Sequence, residues 1–271
     1  MTRATTKGFA AVNGASLYYE RQGSGPPVLF IAGSTGDAGN FSRTADLLAD
    51  EFTVVTYDRR GNSRSVRPPG WTATSVAEQA DDAAALIQKL DIAPAAVFGA
   101  SAGGPITLDL MLRHRELVSA GIIQEPSIFS LLPDPTAALA PRRAIIEEAL
   151  KTKGARGAVE ALMRYLNDDS VGTVIPTDIL ERMLGNADTI LTIEGPGFAD
   201  WRLPIEDLKG LGILIVLLVA SDTLPAYKEI TRLLAEQLGI EPITVPGQHA
   251  FYYYRPQILA NVLRPLLRRL P

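Results

Sequence analysis

Residues 95–103 read Ala95-Ala96-Val97-Phe98-Gly99-Ala100-Ser101-Ala102-Gly103, and an amphipathic stretch starting at Pro105 follows at once. The short apolar run reads as a buried strand, and Pro105–His114 carries helical spacing. Between them lies the pattern G-x-S-x-G in a strand–turn–helix setting. A serine in that turn sits on strained backbone, and glycines two residues to either side remove Cβ atoms that would collide with neighbouring chain. The helix that follows aims its first N–H groups at negative charge developing beside the serine. The bland alternative is a glycine-rich turn around a buried serine. The strand–turn–helix context favours the nucleophile, and Ser101 is assigned that role.

Outward from this turn the chain alternates strands and helices. Ser16–Arg21, Val28–Ala32, Thr53–Tyr57, Ala95–Phe98 and Val118–Gln124 read as strands. Asn40–Asp50, Ser75–Leu90 and Pro105–His114 read as helices. After Pro126 the rhythm changes to helical patterns broken by Pro and Gly, clearest at Ala144–Lys151, Ala155–Leu166 and Asp178–Leu184. Alternation resumes with Ile213–Val219, Ala226–Leu238, Ile243–Val245 and the closing helix Pro256–Arg269. The prediction is an α/β chain with a mostly parallel central sheet covered by helices on both faces. Residues 1–126 and 204–271 would form the core. Residues 127–203 would form a helical cap over the carboxyl edge of the sheet, where ligands bind in open α/β folds.

Composition narrows the function classes. The chain has 271 residues with 26 Lys plus Arg, 30 Asp plus Glu and a formal net charge of −4. That mildly acidic balance argues against nucleic-acid binding, which needs a basic face. Apolar residues at 46% supply a sizeable core. The N-terminus lacks a stretch apolar enough for a signal peptide. The most apolar run, Gly212–Ala220, has nine residues, against roughly 20 for a membrane-spanning helix. It reads instead as a fully buried parallel strand. A cytoplasmic protein without membrane contact is expected.

The chain contains no cysteine and only two histidines, His114 and His249. Thiolate chemistry and a His- or Cys-rich metal site are excluded by counting, and no cofactor is expected. A serine nucleophile needs a base. His114 lies near the carboxyl end of the helix after the turn, where it suits the helix dipole but is several turns from Ser101. His249 lies in Pro246-Gly247-Gln248-His249-Ala250, a loop after the last strand that leaves the same sheet edge as Ser101. His249 is therefore assigned as the base and His114 as structural. The oxyanion formed on attack needs two donors. Ala102 N–H follows the nucleophile, and Ser34 N–H is the second choice, in a loop that Gly33 and Gly36 allow to bend over the site.

These segments together resemble the α/β-hydrolase superfamily along nearly the whole chain. Phe30–Gly36, Val55–Ser65, the Ser101 turn and Pro246–His249 carry the likeness. The Tyr57–Ser65 segment resembles a D-x-x-G-x-G/S-x-S loop that in this superfamily shapes the site without being catalytic. Its Arg59-Arg60 pair reads as solvated loop charge rather than a phosphate clamp. Ala32-Gly33 replaces the usual His-Gly. The resemblance implies a triad acid, for which two candidates stand. Most of the superfamily takes an aspartate after the strand read here as Ile213–Val219, which is Asp222. The run Ile122-Ile123-Gln124-Glu125-Pro126 instead resembles the branch of zearalenone-type lactone hydrolases, whose triad acid would be Glu125, although Gln124 stands where that branch has His. A carboxylate at a buried strand end also needs a partner.

The function implied is cleavage of a carboxylic ester or lactone through an acyl-enzyme on Ser101. A C–C bond hydrolase or cofactor-free haloperoxidase on the same triad, and a slowly turning receptor-like binding module, remain alternatives. An aspartate-nucleophile epoxide hydrolase or dehalogenase conflicts with serine at position 101. The expected partner is a small apolar ester or lactone, with a homodimer left open. Gly33 and the bulky residues Phe129, Leu131, Leu132, Phe198 and Trp201 are the candidates for contacting it.

Overall fold

The computed structural model describes residues 5–167, 174–199 and 201–270. Its centre is one eight-stranded sheet. The strands are β1 (Thr6–Val12), β2 (Ala15–Gln22), β3 (Pro27–Ile31), β4 (Thr53–Tyr57), β5 (Ala95–Ala100), β6 (Val118–Gln124), β7 (Leu214–Ala220) and β8 (Ile243–Val245). Their spatial order is β1-β2-β4-β3-β5-β6-β7-β8. β1 and β2 pair antiparallel, as do β2 and β4, and every pair from β4 through β8 is parallel.

Alternation along the central strands supplies two cores, because successive side chains point to opposite faces. Val28, Phe30 and Phe98 pack against α1 (Ser42–Leu48) and the C-terminal helix Pro256–Leu267, through Phe41, Leu48, Leu259 and Leu263. Leu29, Ile31 and Val97 pack on the other face against α2 (Val76–Lys89) and α3 (Gly103–Arg113). Helix α2 begins where the side chain of Ser75 accepts from Glu78 N at 3.0 Å, which satisfies one of the orphan donors of its first turn.

Between β6 and β7 the described residues hold helices and no strand. A long helical run, Pro135–Asn167, breaks at Gly154, whose φ of 71° is non-helical. Thr177–Gly185 and a π-helical segment, Thr189–Glu194, follow. Val159, Met163, Ile179, Met183 and Ile190 form a separate small cluster there, packed against Tyr253 and Tyr254.

Two expectations change. β7 is not buried throughout: Leu214 is 49% exposed, and only Leu217, Leu218 and Ala220 are fully enclosed. It lies one strand from the sheet edge, so its far end lacks cover. β1, an edge strand, falls outside the set of strands expected.

Candidate active site

The turn after β5 is shaped by close approach. A Cβ on Gly99 would lie 2.4 Å from Gly103 O, and one on Gly103 would lie 2.3 Å from Ile31 O. Any larger residue at either place would push the turn off the sheet. Ser101 adopts φ +53°, a conformation that costs a non-glycine residue of order 1–3 kcal/mol. The strain is held by two bonds to the end of β6: Ser101 N donates to Gln124 O at 2.9 Å, and Ser127 N donates to Ser101 O at 3.0 Å.

Because β6 runs parallel beside β5, its last residues emerge next to the serine. Glu125 also has a positive φ, +45°, and its carboxylate is wholly buried. It is fully engaged. Oε1 accepts from Ala220 N at 2.6 Å, and Oε2 accepts from Thr223 Oγ1 at 2.7 Å and faces His249 Nδ1 at 2.5 Å. Asp222 is exposed, with its side chain accepting from Ser221 Oγ at 3.1 Å. Of the two acid candidates, Glu125 alone meets the histidine.

His249 is buried and packs on the ring of Tyr227, with centroids 4.1 Å apart. With Nδ1 turned to Glu125, the carboxylate selects the tautomer that leaves the Nε2 lone pair open. Nε2 has no hydrogen-bond partner among the described residues, and the ring lines the same cavity as Ser101. Ser101 Oγ lies 3.1 Å from Ser127 Oγ. His114 lies elsewhere: its Nε2 is 2.7 Å from Asp81 Oδ1, on the rim of a different cleft.

The oxyanion candidates flank the serine. Gly33 is pressed against Ser101, since a Cβ there would lie 3.1 Å from Ser101 Cβ. Ser34 N and Ala102 N donate to no acceptor among the described residues, so both amides are available to a ligand. Two cavities meet here. One of about 40 Å³ is lined by Ser101, His249, Leu162, Met163 and Ile190. The other, of about 180 Å³, is lined by Ser34, Ala102, Ser127, Phe129, Ile190 and Phe198. Burial holds the Tyr252 and Tyr253 phenols at the first cavity well above their ordinary pKa, so they stay protonated.

Phe129, Phe198 and Gly33 thus border the cavities, whereas three other candidates do not. Leu131 and Leu132 pack into the core beside β6 and β7, and Trp201 sits there with Nε1 donating to Asp109 Oδ1 at 3.3 Å. Arg59-Arg60 is also not solvated. Arg59 is fully buried and Arg60 is 4% exposed, paired with Glu194 and Asp82 respectively. Distant carboxylates neutralise both, which adjacent sequence does not reveal.

Sequence reasoning missed Thr223 and the use made of Gln124. Gln124 Nε2 donates to His249 O at 2.9 Å and so holds the histidine loop. Thr223 supplies a neutral donor to the buried carboxylate. Thr223→Val should lower kcat about tenfold through loss of one hydrogen bond to a charged group. Steady-state kinetics beside a melting curve will check this, and a KM effect alone would contradict it.

Among the described residues no cluster of three His, Cys, Asp or Glu could hold a metal, and no helix is long and apolar enough to cross a membrane. Residues 26–149 match the family model described as the alpha/beta hydrolase fold. An uncharacterised hydrolase of Bacillus subtilis (strain 168), YraK, is 36% identical over 267 residues, covering 97% of this chain and 96% of that one. The chain belongs to the α/β-hydrolase family. Among solved structures, this hydrolase is similar to a thermophilic esterase from Thermogutta terrifontis, with TM-score 0.79 and 23% identity over 99% of both chains. It is also similar to the enol-lactonase of Burkholderia xenovorans LB400, with TM-score 0.78 and 18% identity over 97% of this chain and 100% of that one.

Proposed function

We propose that this hydrolase cleaves a carboxylic ester or lactone through an acyl-enzyme on Ser101. The observation that carries the reading is the buried Glu125–His249 pair, whose imidazole has an unpartnered Nε2 and lines one cavity with Ser101. Ser101 Oγ attacks the carbonyl carbon as its proton passes to His249 Nε2. The oxygen that gains the electron pair is received by the Ser34 and Ala102 amides. Collapse breaks the C–O bond, and His249 returns the proton to the departing alkoxide. Water then adds to the acyl carbon with His249 again as base, releasing the acid and restoring Ser101. In a lactone the alkoxide and acid remain one molecule, so the product is a hydroxy acid.

The cavities favour a compact, apolar substrate. Val159, Leu162, Met163 and Ile190 wall one lobe, and Phe129 and Phe198 the other. The lactone option is supported by the likeness of Ile122–Pro126 to lactone hydrolases, the ester option by the shape shared with an esterase. A panel of p-nitrophenyl esters of graded acyl length, run beside simple lactones, is the test. Acetate to hexanoate esters should turn over at least tenfold faster than palmitate. Absence of turnover and of serine acylation across the panel would refute the hydrolase reading and leave the binding-module alternative.

A further inference from the structure

We infer that Glu194 and Arg59 are positioning residues for the oxyanion hole, an inference that rests on the acyl-transfer reading of Ser101. Arg59 lies in the loop after β4 and its guanidinium is fully buried. All five of its N–H groups have acceptors. Nε donates to Ala32 O at 3.1 Å, and Nη2 to Gly33 O at 2.8 Å. Nη1 and Nη2 donate to the two oxygens of Glu194 at 2.6 and 2.8 Å, and Nη1 also reaches Gln79 Oε1 at 3.4 Å.

The contact with Gly33 O matters because of peptide geometry. The carbonyl of Gly33 and the N–H of Ser34 belong to one planar trans unit, so the two groups point in opposite directions. Fixing the carbonyl fixes the amide. Gly33 O is held from the far side by Arg59 and by Gly36 N at 2.9 Å, which leaves Ser34 N–H directed away from them, with no acceptor of its own among the described residues. Gly33 itself is seated against Ser101. The peptide therefore presents its donor beside the nucleophile with little freedom to rotate.

Glu194 completes the arrangement from the segment between β6 and β7. It is 3% exposed and accepts also from Asn62 Nδ2 at 2.8 Å. Removing either partner would leave a buried charge, and a fork able to grip two carbonyls and a carboxylate is peculiar to arginine. The same segment carries Ile190, which walls both cavities. Alignment of the Ser34 amide thus depends on one ion pair.

An alkyl fluorophosphonate tests this without knowledge of the natural substrate. Ser101 Oγ bonds to phosphorus, fluoride leaves, and the phosphoryl oxygen takes the oxyanion position. Glu194→Gln and Arg59→Lys are expected to slow this labelling 10- to 100-fold, somewhat below the loss from deleting an oxyanion donor outright. The kcat for an active p-nitrophenyl ester should fall by the same factor with KM within about twofold, because the donor acts on the transition state. Glu194→Asp should recover part of the loss seen in Glu194→Gln while staying more than threefold below the wild-type rate, so it serves also if the other variants do not fold. Folded variants, Glu194→Asp included, that label within threefold of the wild-type rate overturn the inference, as does a loss confined to KM. If the wild-type chain is not labelled at Ser101, the acyl-transfer reading itself fails.

Discussion

Ser101→Ala should reduce kcat on any active ester by on the order of 10⁶, the scale at which removing the serine of such a catalytic unit acts. Alanine fits the turn, since Gly99 and Gly103 make the close approaches and the backbone bonds of residue 101 to Gln124 and Ser127 persist. The fold should survive. Nor should the substitution relieve the strained φ, because alanine at +53° is strained as serine is. Circular dichroism and a melting curve should therefore match wild type within a few degrees, while progress curves fall to background. Turnover above a tenth of wild type would remove Ser101 from the mechanism.

Glu125→Gln should lower kcat by on the order of 10² or more, and Asp222→Asn by about tenfold or less. The amide keeps the shape of the carboxylate, but its charge no longer stabilises the imidazolium formed as Ser101 attacks. It also permits the wrong tautomer, an effect that reaches about 10⁴ in kcat in the serine-protease triad. Glu125 is the group that His249 Nδ1 meets at 2.5 Å, whereas Asp222 is exposed and bonded to Ser221. Ala220 N and Thr223 Oγ1 both donate to Glu125. A glutamine can present only one oxygen to those donors and must turn its NH₂ toward another, so some stability loss is expected alongside the kinetic one. Measuring both variants with one ester at one pH separates the candidates. A greater loss in Asp222→Asn would transfer the orienting role to the loop after β7.

Much of the sheet is legible in the sequence because its signals are local. β4, β6 and β8 run over the residues expected, since their ends are marked by loops, and the apolar runs of β4 and β6 need burial on two faces. β1 is the omission, although the sequence signals it. Asn13-Gly14, both at positive φ, makes the two-residue hairpin turn between β1 and β2, and such a pair is a strong hairpin signal when flanked by strands. Its strand is mostly exposed along one half, so it lacks the continuous apolar run by which the inner strands declare themselves.

The site divides along the same physical line. Ser101 is read as the candidate nucleophile from residues within a few positions of it, where the glycine spacing, the preceding strand and the following helix all concern contacts of short range. His249 is singled out as the candidate base by counting, because the other histidine, His114, caps the end of α3 and meets Asp81. The choice of acid could not be made that way. Glu125 and Asp222 both leave the carboxyl ends of neighbouring parallel strands, and only the positive φ at Glu125 and the direction of its side chain bring one carboxylate to the imidazole. Burial of Arg59 was likewise beyond the sequence, since its partner Glu194 stands 135 positions away. A lone arginine in a loop favours water, and only a folded chain that delivers a carboxylate to it can hold that charge inside.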